Sequence, residues 1–275
     1  MNFGFITCVE LGLSCIKAIY DQGYDLRLAI TLNDDNAPNK SGRVYLDDFC
    51  SEKSIQLEKC NHINDAHVSE AIRFAEIDWL FVIGWSQIAG VEILQSAKMG
   101  VLGMHPTLLP VGRGRAAIPW AILKGLPETG VTLFKMDEGV DTGLIGSQVV
   151  IPMHSKITAT ELYSRVNIAH VELIKKVLPF LISGSTIFKS QDESKATEWP
   201  GRKPEDGEID LDGSVFEAER LIRAVTRPYP GAFFFEDGNK VTVWKAGVVD
   251  QKTDKKALIF RDGVLALLDF DEIKL

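Results

Sequence analysis

Positive charge in excess is the first thing this 275-residue sequence lacks: 30 Lys plus Arg stand against 38 Asp plus Glu, a formal net charge of −8. That balance removes the general attraction that a phosphate backbone or an anionic bilayer needs, and argues against nucleic acid and membrane as partners. Long hydrophobic runs are missing too. The apolar stretch "IDWLFVIGW" at 77–85 is strand-length, well short of the roughly 20 residues that span a bilayer. The opening "MNFGFITCVELGLSC" has no basic leader and no small-residue cleavage site, so it reads as a first strand and the expected location is the cytoplasm. Cysteines number four, Cys8, Cys15, Cys50 and Cys60, none in a CxxC pair, which suits buried free thiols in a reducing compartment. The five histidines are dispersed without zincin spacing, and no metal site is expected. No GxGxxG follows the first strand, where "TCVELGLS" has a single glycine, and this sets a nicotinamide oxidoreductase aside.

What is present is apolar periodicity. Hydrophobic residues make up 45% of the chain, enough for a sizeable core at this length. Strand-like and helix-like segments alternate: "NFGFIT", "LSCIKAIYDQ", "DLRLAIT", a polar loop over 32–42, "IQLEKC", "NDAHVSEAIRFAE" and "IDWLFVIGW". In the last helix-like segment Val68, Ala71, Ile72 and Ala75 recur at helical spacing, with Asn64 as the expected N-cap. Near-continuous apolar strands separated by helices predict an α/β fold. Its expected form is a mostly parallel sheet with helices on both faces and chemistry at the strand C-termini.

Farther on, "GVLGMH" and "TGVTLFKM" read as strands and "AAIPWAILKGL" as a short helix. A long helix follows, opened by Thr158 and Glu161 in capping-box register and kinked or divided at Pro179. Periodicity then fades into a polar, Pro- and Gly-bearing stretch. The expected division is residues 1–190 as the catalytic domain, 191–207 as a linker and 208–275 as a small β-rich C-terminal domain, an OB-like partial barrel. Within that last part Ser214 and Glu217 again suit a capping box, and Asp237-Gly238 and Asp262-Gly263 signal hairpin turns.

The segment "GMHPTLLPVGRGR" at 103–115 carries the candidate chemistry. Pro106 and Pro110 keep His105 and Leu109 out of helical geometry, while Gly112 and Gly114 allow backbone conformations closed to other residues. A histidine at a strand end, on a loop stiffened in this way, presents its imidazole to a crevice. The second candidate is "MDEGVDTG", which also follows an apolar strand. If adjacent strand ends converge on one crevice, Asp141 meets His105, orients its ring and favours the imidazolium.

Taken in order, "MHPTLLPVGRGRAAIPWAILKGLPETGVTLFKMDEGVDTG" resembles the 10-formyltetrahydrofolate-dependent formyltransferases, most closely over residues 77–152. "RKPEDGEID", "LIRAVTRPYPGAFF" and "VWKA" resemble the branch that formylates nucleotide-linked amino sugars. The resemblance implies a Rossmann-like N-terminal domain, a smaller β-rich C-terminal domain and formyl transfer from 10-formyltetrahydrofolate to a primary amine, with His105 and Asp141 as the catalytic pair. It further implies a folate slot lined by Trp85, Gln87, Ile88, Asp137, Glu138, Gly139 and Val140. Glu10, Gly12, Thr107 and Arg113 are expected to border the acceptor; Arg113 and Arg115 either face phosphates or tie their loop by salt bridges. The implied acceptor is a nucleotide-linked 4-amino-4,6-dideoxyhexose for surface polysaccharide, and tail-mediated homodimerisation is expected. Methionyl-tRNA formylation is the alternative, against which residues 201–275 hold 12 Lys plus Arg and 15 Asp plus Glu. A non-catalytic relative that binds folate or a nucleotide sugar is another. One position departs from the family pattern: Gly103 stands where an asparagine is usual, two residues before the histidine. The reading favoured is that a water or another side chain occupies the room the glycine leaves.

Overall fold

The computed structural model describes residues 1–36, 42–249 and 255–274, so residues 37–41 of the polar loop at 32–42 lie outside the described residues. The elements begin with β1 (Phe3–Ile6), α1 (Glu10–Asp21), β2 (Leu26–Leu32), α2 (Asp47–Lys53), β3 (Gln56–Cys60), α3 (Ala66–Phe74) and β4 (Trp79–Val82). They continue with α4 (Val91–Leu94), β5 (Gly100–His105), β6 (Arg113–Gly114), α5 (Ala117–Leu123), β7 (Glu128–Lys135), β8 (Leu144–Pro152) and α6 (Ala159–Ser183). The last are β9 (Glu198–Trp199), α7 (Val215–Val225), β10 (Ala232–Glu236), β11 (Asn239–Val249), β12 (Ala257–Phe260) and β13 (Gly263–Lys274).

Backbone contacts group the chain into two units. One comprises Met1–Gly114, Gly130–Ile151 and Val166–Glu198; the other comprises Arg115–Thr129, Pro152–Arg165 and Trp199–Leu275. Both are discontinuous, unlike the contiguous division at 190 and 208. The reason is that a polar, aperiodic stretch has lost its amphipathic pattern without losing its contacts: residues 191–198 cluster with the first unit.

In the first unit the strand order is β3-β2-β1-β4-β5-β7-β8, with β1 through β5 all parallel. Every residue of β1 and β4 is buried, which is why these strands read as continuous apolar runs. Phe3, Phe5, Phe81, Ile6, Leu28 and Ile30 form the heart of this core, each side chain contributing about 1.5–3 kcal/mol by burial. The chain leaves β1 toward β2 on one side and returns to β4 on the other, so the order reverses between β1 and β4. Right-handed crossovers in opposite directions put helices on both faces and open a crevice beyond the C-terminal ends at that reversal. Close packing marks it: a Cβ on Gly84 would lie 2.2 Å from Val9 Cγ2.

Two local expectations change. The N-cap position of α3 is Asp65, one residue later than expected and without a side-chain capping bond, while the Asn64 side chain accepts from the Gly90 amide at 2.7 Å and donates to the Ile88 carbonyl at 3.0 Å. α6 runs unbroken for 25 residues with Pro179 inside it.

The second unit contains an antiparallel half-barrel sheet of order β10-β11-β13-β12, with α7 packed against β11 and α5. Asp237 and Gly238, at φ 50° and 76°, make the expected two-residue hairpin turn between β10 and β11. The other hairpin turns one residue early: Phe260 pairs with Gly263, leaving Arg261 and Asp262 as its tip. Asp262 is there because it serves α7, accepting from Ser214 Oγ at 2.7 Å and from the Val215 amide at 2.9 Å. Ser214 caps α7 at the Phe216 amide, at 3.2 Å. Thr158 does cap the start of α6 as the register predicts, its hydroxyl accepting from the Glu161 amide at 3.3 Å.

Candidate active site

β5 ends in His105, which is 7% exposed and pairs across the sheet with Thr132 of β7. Its Nε2 lies 2.7 Å from the Gly112 carbonyl, and its Nδ1 lies 3.4 Å from Asp141 Oδ2. A carbonyl only accepts, so the Nε2 hydrogen is directed to Gly112 and the Nδ1 lone pair faces the carboxylate. That second contact becomes a hydrogen bond only when the ring gains a proton at Nδ1. The same loop holds both partners. Gly112 supplies the carbonyl at φ 75°, and the Gly114 amide, at φ 106°, donates to Asp141 Oδ2 at 2.9 Å.

The loop itself is pinned from below. Thr132 Oγ1 donates to the Thr107 carbonyl at 2.7 Å and accepts from the Leu109 amide at 3.0 Å, and Gln148 Nε2 reaches both the Leu109 carbonyl and Thr132 Oγ1. These bonds satisfy buried backbone groups that a proline-rich turn leaves without ladder partners.

Asp141 reaches His105 by a route other than the expected convergence of strand ends. β7 runs antiparallel to β5, so its C-terminal Lys135 lies beside Leu102 and away from the histidine. The carboxylate returns over residues 136–141 because Asp137 Oδ1 ties the turn, accepting from the Gly139 amide at 3.1 Å and from Thr142 Oγ1 at 2.6 Å. Asp141 itself adopts φ 57°. Left-handed geometry is uncommon for a residue with a side chain, though least so for Asp and Asn.

Gly103 does not leave room for water. A Cβ there would lie 2.9 Å from Phe134 Cζ and 3.2 Å from Met136 Cγ, because Phe134 stands directly opposite on β7. The space the usual amide would enter on this face is taken by an aromatic ring.

The remaining expected residues divide. Arg113 is buried, and its guanidinium is engaged within the unit: Nε and Nη2 donate to Gln191 Oε1, and Nη1 and Nη2 grip Glu193. In this structure the guanidinium ties the loop by its salt bridge to Glu193. The pairing raises the Arg113 pKa and holds the Glu193 carboxyl below the usual range. Thr107 is 1% exposed, with its hydroxyl buried and without a hydrogen-bond partner. Gly12 serves close packing, since a Cβ would lie 2.0 Å from Thr7 Oγ1, whereas Glu10 opens α1 exposed.

Trp85 packs against Cys8, Val9 and Leu32, its indole nitrogen buried without a partner among the described residues. It shares the larger core cluster with Met136, the residue that opens the 137–140 turn. Gln87 is drawn the other way, accepting from the Ile63 amide at 2.8 Å and donating to the Asn61 carbonyl at 3.0 Å, so it supplies no replacement donor beside Gly103. Ile88 and Val140 are 63% and 53% exposed, and Glu138 and Gly139 are exposed as well. Among the described residues no group of three or more His, Cys, Asp or Glu is placed to hold a metal ion. No described helix is long and apolar enough to cross a membrane.

The amino-acid sequence matches the family described as formyl transferase over residues 44–178, and the formyl transferase C-terminal domain over residues 202–272. The chain belongs to the formyl transferase family. Among solved structures it is similar to a methionyl-tRNA formyltransferase from Clostridium thermocellum, with 19% identity, 100% of this chain and 99% of that one covered, and a TM-score of 0.66. An N-formyltransferase from Helicobacter canadensis matches at 19% identity over 96% of this chain and 98% of its own, with a TM-score of 0.70. A sugar N-formyltransferase from a Shewanella species matches at 20% identity over 88% and 96%, with a TM-score of 0.71. At these identities the likeness establishes the fold.

In this formyl transferase the supporting residues Thr132, Gln148, Gln191 and Thr197 escape sequence reasoning, because isolated polar residues in a strand or a polar stretch carry no pattern. His170 on α6 escapes it too. It is fully buried, its Nδ1 lies 2.8 Å from the Val166 carbonyl, and burial pushes its pKa down to about 4, with the charge of His105 acting in the same direction. All four cysteines are buried; burial raises Cys50 to about 11 and Cys60 to about 12, and raises Cys15 as well, which leaves these three thiols protonated and inert.

Proposed function

We propose that this protein transfers the formyl group of 10-formyltetrahydrofolate to the amine of a nucleotide-linked amino sugar, with His105 and Asp141 as the catalytic pair. The observation that carries the reading is the buried imidazole with one nitrogen on the Gly112 carbonyl and the other 3.4 Å from a carboxylate. The acceptor amine attacks the formyl carbon, the carbonyl electrons move to oxygen, and a tetrahedral intermediate forms. His105 takes the amine proton at Nδ1, where Asp141 stabilises the resulting imidazolium, and a proton returns to the folate nitrogen as its bond to carbon breaks. With Phe134 against Gly103, no side-chain amide at that position meets the charge on the oxygen.

The sugar acceptor is supported by the N-formyltransferase from Helicobacter canadensis, solved with folinic acid and dTDP-3-aminofucose. It is also supported by residues 201–275, whose 12 basic and 15 acidic residues suit a small anionic acceptor better than transfer RNA. We place the product in surface polysaccharide such as lipopolysaccharide O-antigen, the enzyme in the cytoplasm, and two copies in a homodimer formed by the C-terminal strands. The test is turnover with UDP-, dTDP- and GDP-linked 3-amino and 4-amino sugars, with initiator methionyl-tRNA as the competing acceptor. Formylation of one sugar class, dependent on 10-formyltetrahydrofolate and lost in His105→Ala, supports the proposal; formylation of the tRNA instead overturns it. A sedimenting monomer at micromolar concentration removes the dimer.

A further inference from the structure

Residues 190–199 carry little periodicity, yet one side chain in them is used to its full hydrogen-bonding capacity. Gln191 Nε2 donates to the Asp141 carbonyl and to the Gly143 carbonyl, both at 2.8 Å. Its Oε1 accepts from Arg113 Nε at 3.1 Å and from Nη2 at 2.8 Å. An amide offers two donors and one two-fold acceptor, and all are spent here. Its partners adjoin the reacting pair: Arg113 precedes the Gly114 amide that holds the Asp141 carboxylate, and the two carbonyls are that of left-handed Asp141 itself and that of Gly143, two residues on. Glu193 completes the frame with a two-pronged grip on Arg113. A separate pair of bonds holds the chain nearby: Thr197 takes the Gly112 amide through its hydroxyl and the Arg113 amide through its carbonyl.

We propose that Gln191 is a positioning residue for the transfer reaction, setting the Asp141 turn against the loop that carries His105. This rests on the formyl-transfer reading. Left-handed geometry at an aspartate needs support from its surroundings, and of the two carbonyls bound by Gln191 one belongs to that residue itself and the other lies two residues beyond it. A carboxylate a fraction of an ångström out of place loses the imidazolium it should stabilise, without altering how either substrate binds.

Gln191→Glu and Gln191→Ala separate positioning from simple attachment. The glutamate keeps the acceptor that faces Arg113 and strengthens that contact, but it cannot donate to the Asp141 and Gly143 carbonyls. We expect both variants to lose kcat on the order of tenfold to a hundredfold, with KM for folate and for amino sugar within about twofold of wild type. Hydrogen exchange gives a readout that needs no turnover. The Gly114 amide, bound to the Asp141 carboxylate, should exchange faster in both variants, while the Arg113 amide, bound to the Thr197 carbonyl, stays protected in Gln191→Glu. Wild-type kcat together with a protected Gly114 amide in Gln191→Glu overturns the proposal, as does loss of protection at both amides, which would show general loosening. A wild-type protein that formylates no amino sugar, with Gly114 exchange still following Gln191, defeats the functional reading and leaves the positioning intact.

Discussion

Two histidine–carboxylate pairs, one in each unit, look alike in the sequence and differ in what surrounds them. His154 and Glu161 are the closer pair at 3.1 Å, but their side chains are 52% and 39% exposed. His105 and Asp141 are 3.4 Å apart with side chains only 9% and 17% exposed. The exposed pair pulls the Glu161 carboxyl below its usual range, chiefly through the His154 contact and with help from Arg165. Solvent screens that attraction, and surface pairs of this kind contribute about 0–1 kcal/mol. In the buried pair each member is fixed by backbone: the ring by the Gly112 carbonyl and the carboxylate by the Gly114 amide. Separation alone does not make a site; withdrawal from water and a fixed frame do.

The strongest way to break this comparison is to remove the buried pair. His105→Ala should lower kcat about a thousandfold and Asp141→Asn about a hundredfold, read as formyl transfer under saturating substrates, and comparable rates in either variant would undo the assignment. A third histidine sharpens the point, since His170 is buried more deeply than His105 and, among the described residues, meets the Val166 carbonyl and no carboxylate. Its folded pKa of about 4 lies below the ordinary 6.5, so between these values the unfolded chain binds the extra proton and stability falls as pH drops. Urea unfolding between pH 7 and pH 4 should show His170→Leu spared a loss on the order of 3 kcal/mol relative to wild type; parallel curves would refute it.

Restoring the side chain missing at Gly103 is a smaller perturbation. Gly103→Asn drives an amide into Phe134 and should cost about 1–3 kcal/mol of stability. The added Phe134→Ala change should make room for it, giving non-additive unfolding midpoints across the four combinations. The smallest effect belongs to the exposed pair. His154→Ala should leave turnover unchanged and alter stability by about 0.5 kcal/mol or less, and a large loss of activity would show that exposure is a poor guide here.

Much of the site was legible locally. Pro106, Pro110, Gly112 and Gly114 announce a stiff, irregular loop because each restricts or frees its own backbone, and His105 was found by that punctuation. Asp141 was found for a partly mistaken reason: apolar β7 looks like another parallel strand, and strand direction leaves no trace in side-chain alternation. Arg113 shows the same limit. A buried arginine beside glycines suits an anion or an internal carboxylate equally well, and the carboxylate it meets in this fold is Glu193, 80 positions away.

The central strands, most helix starts and the place of His105 at a strand end follow from sequence alone, since periodicity, capping and proline chemistry act over a few residues. The reversal of β7, the ring of Phe134 over Gly103 and the hold of Gln191 on the Asp141 turn depend on the packed fold. Each joins groups brought together only by pairing and burial, and no short-range rule encodes which distant neighbour arrives.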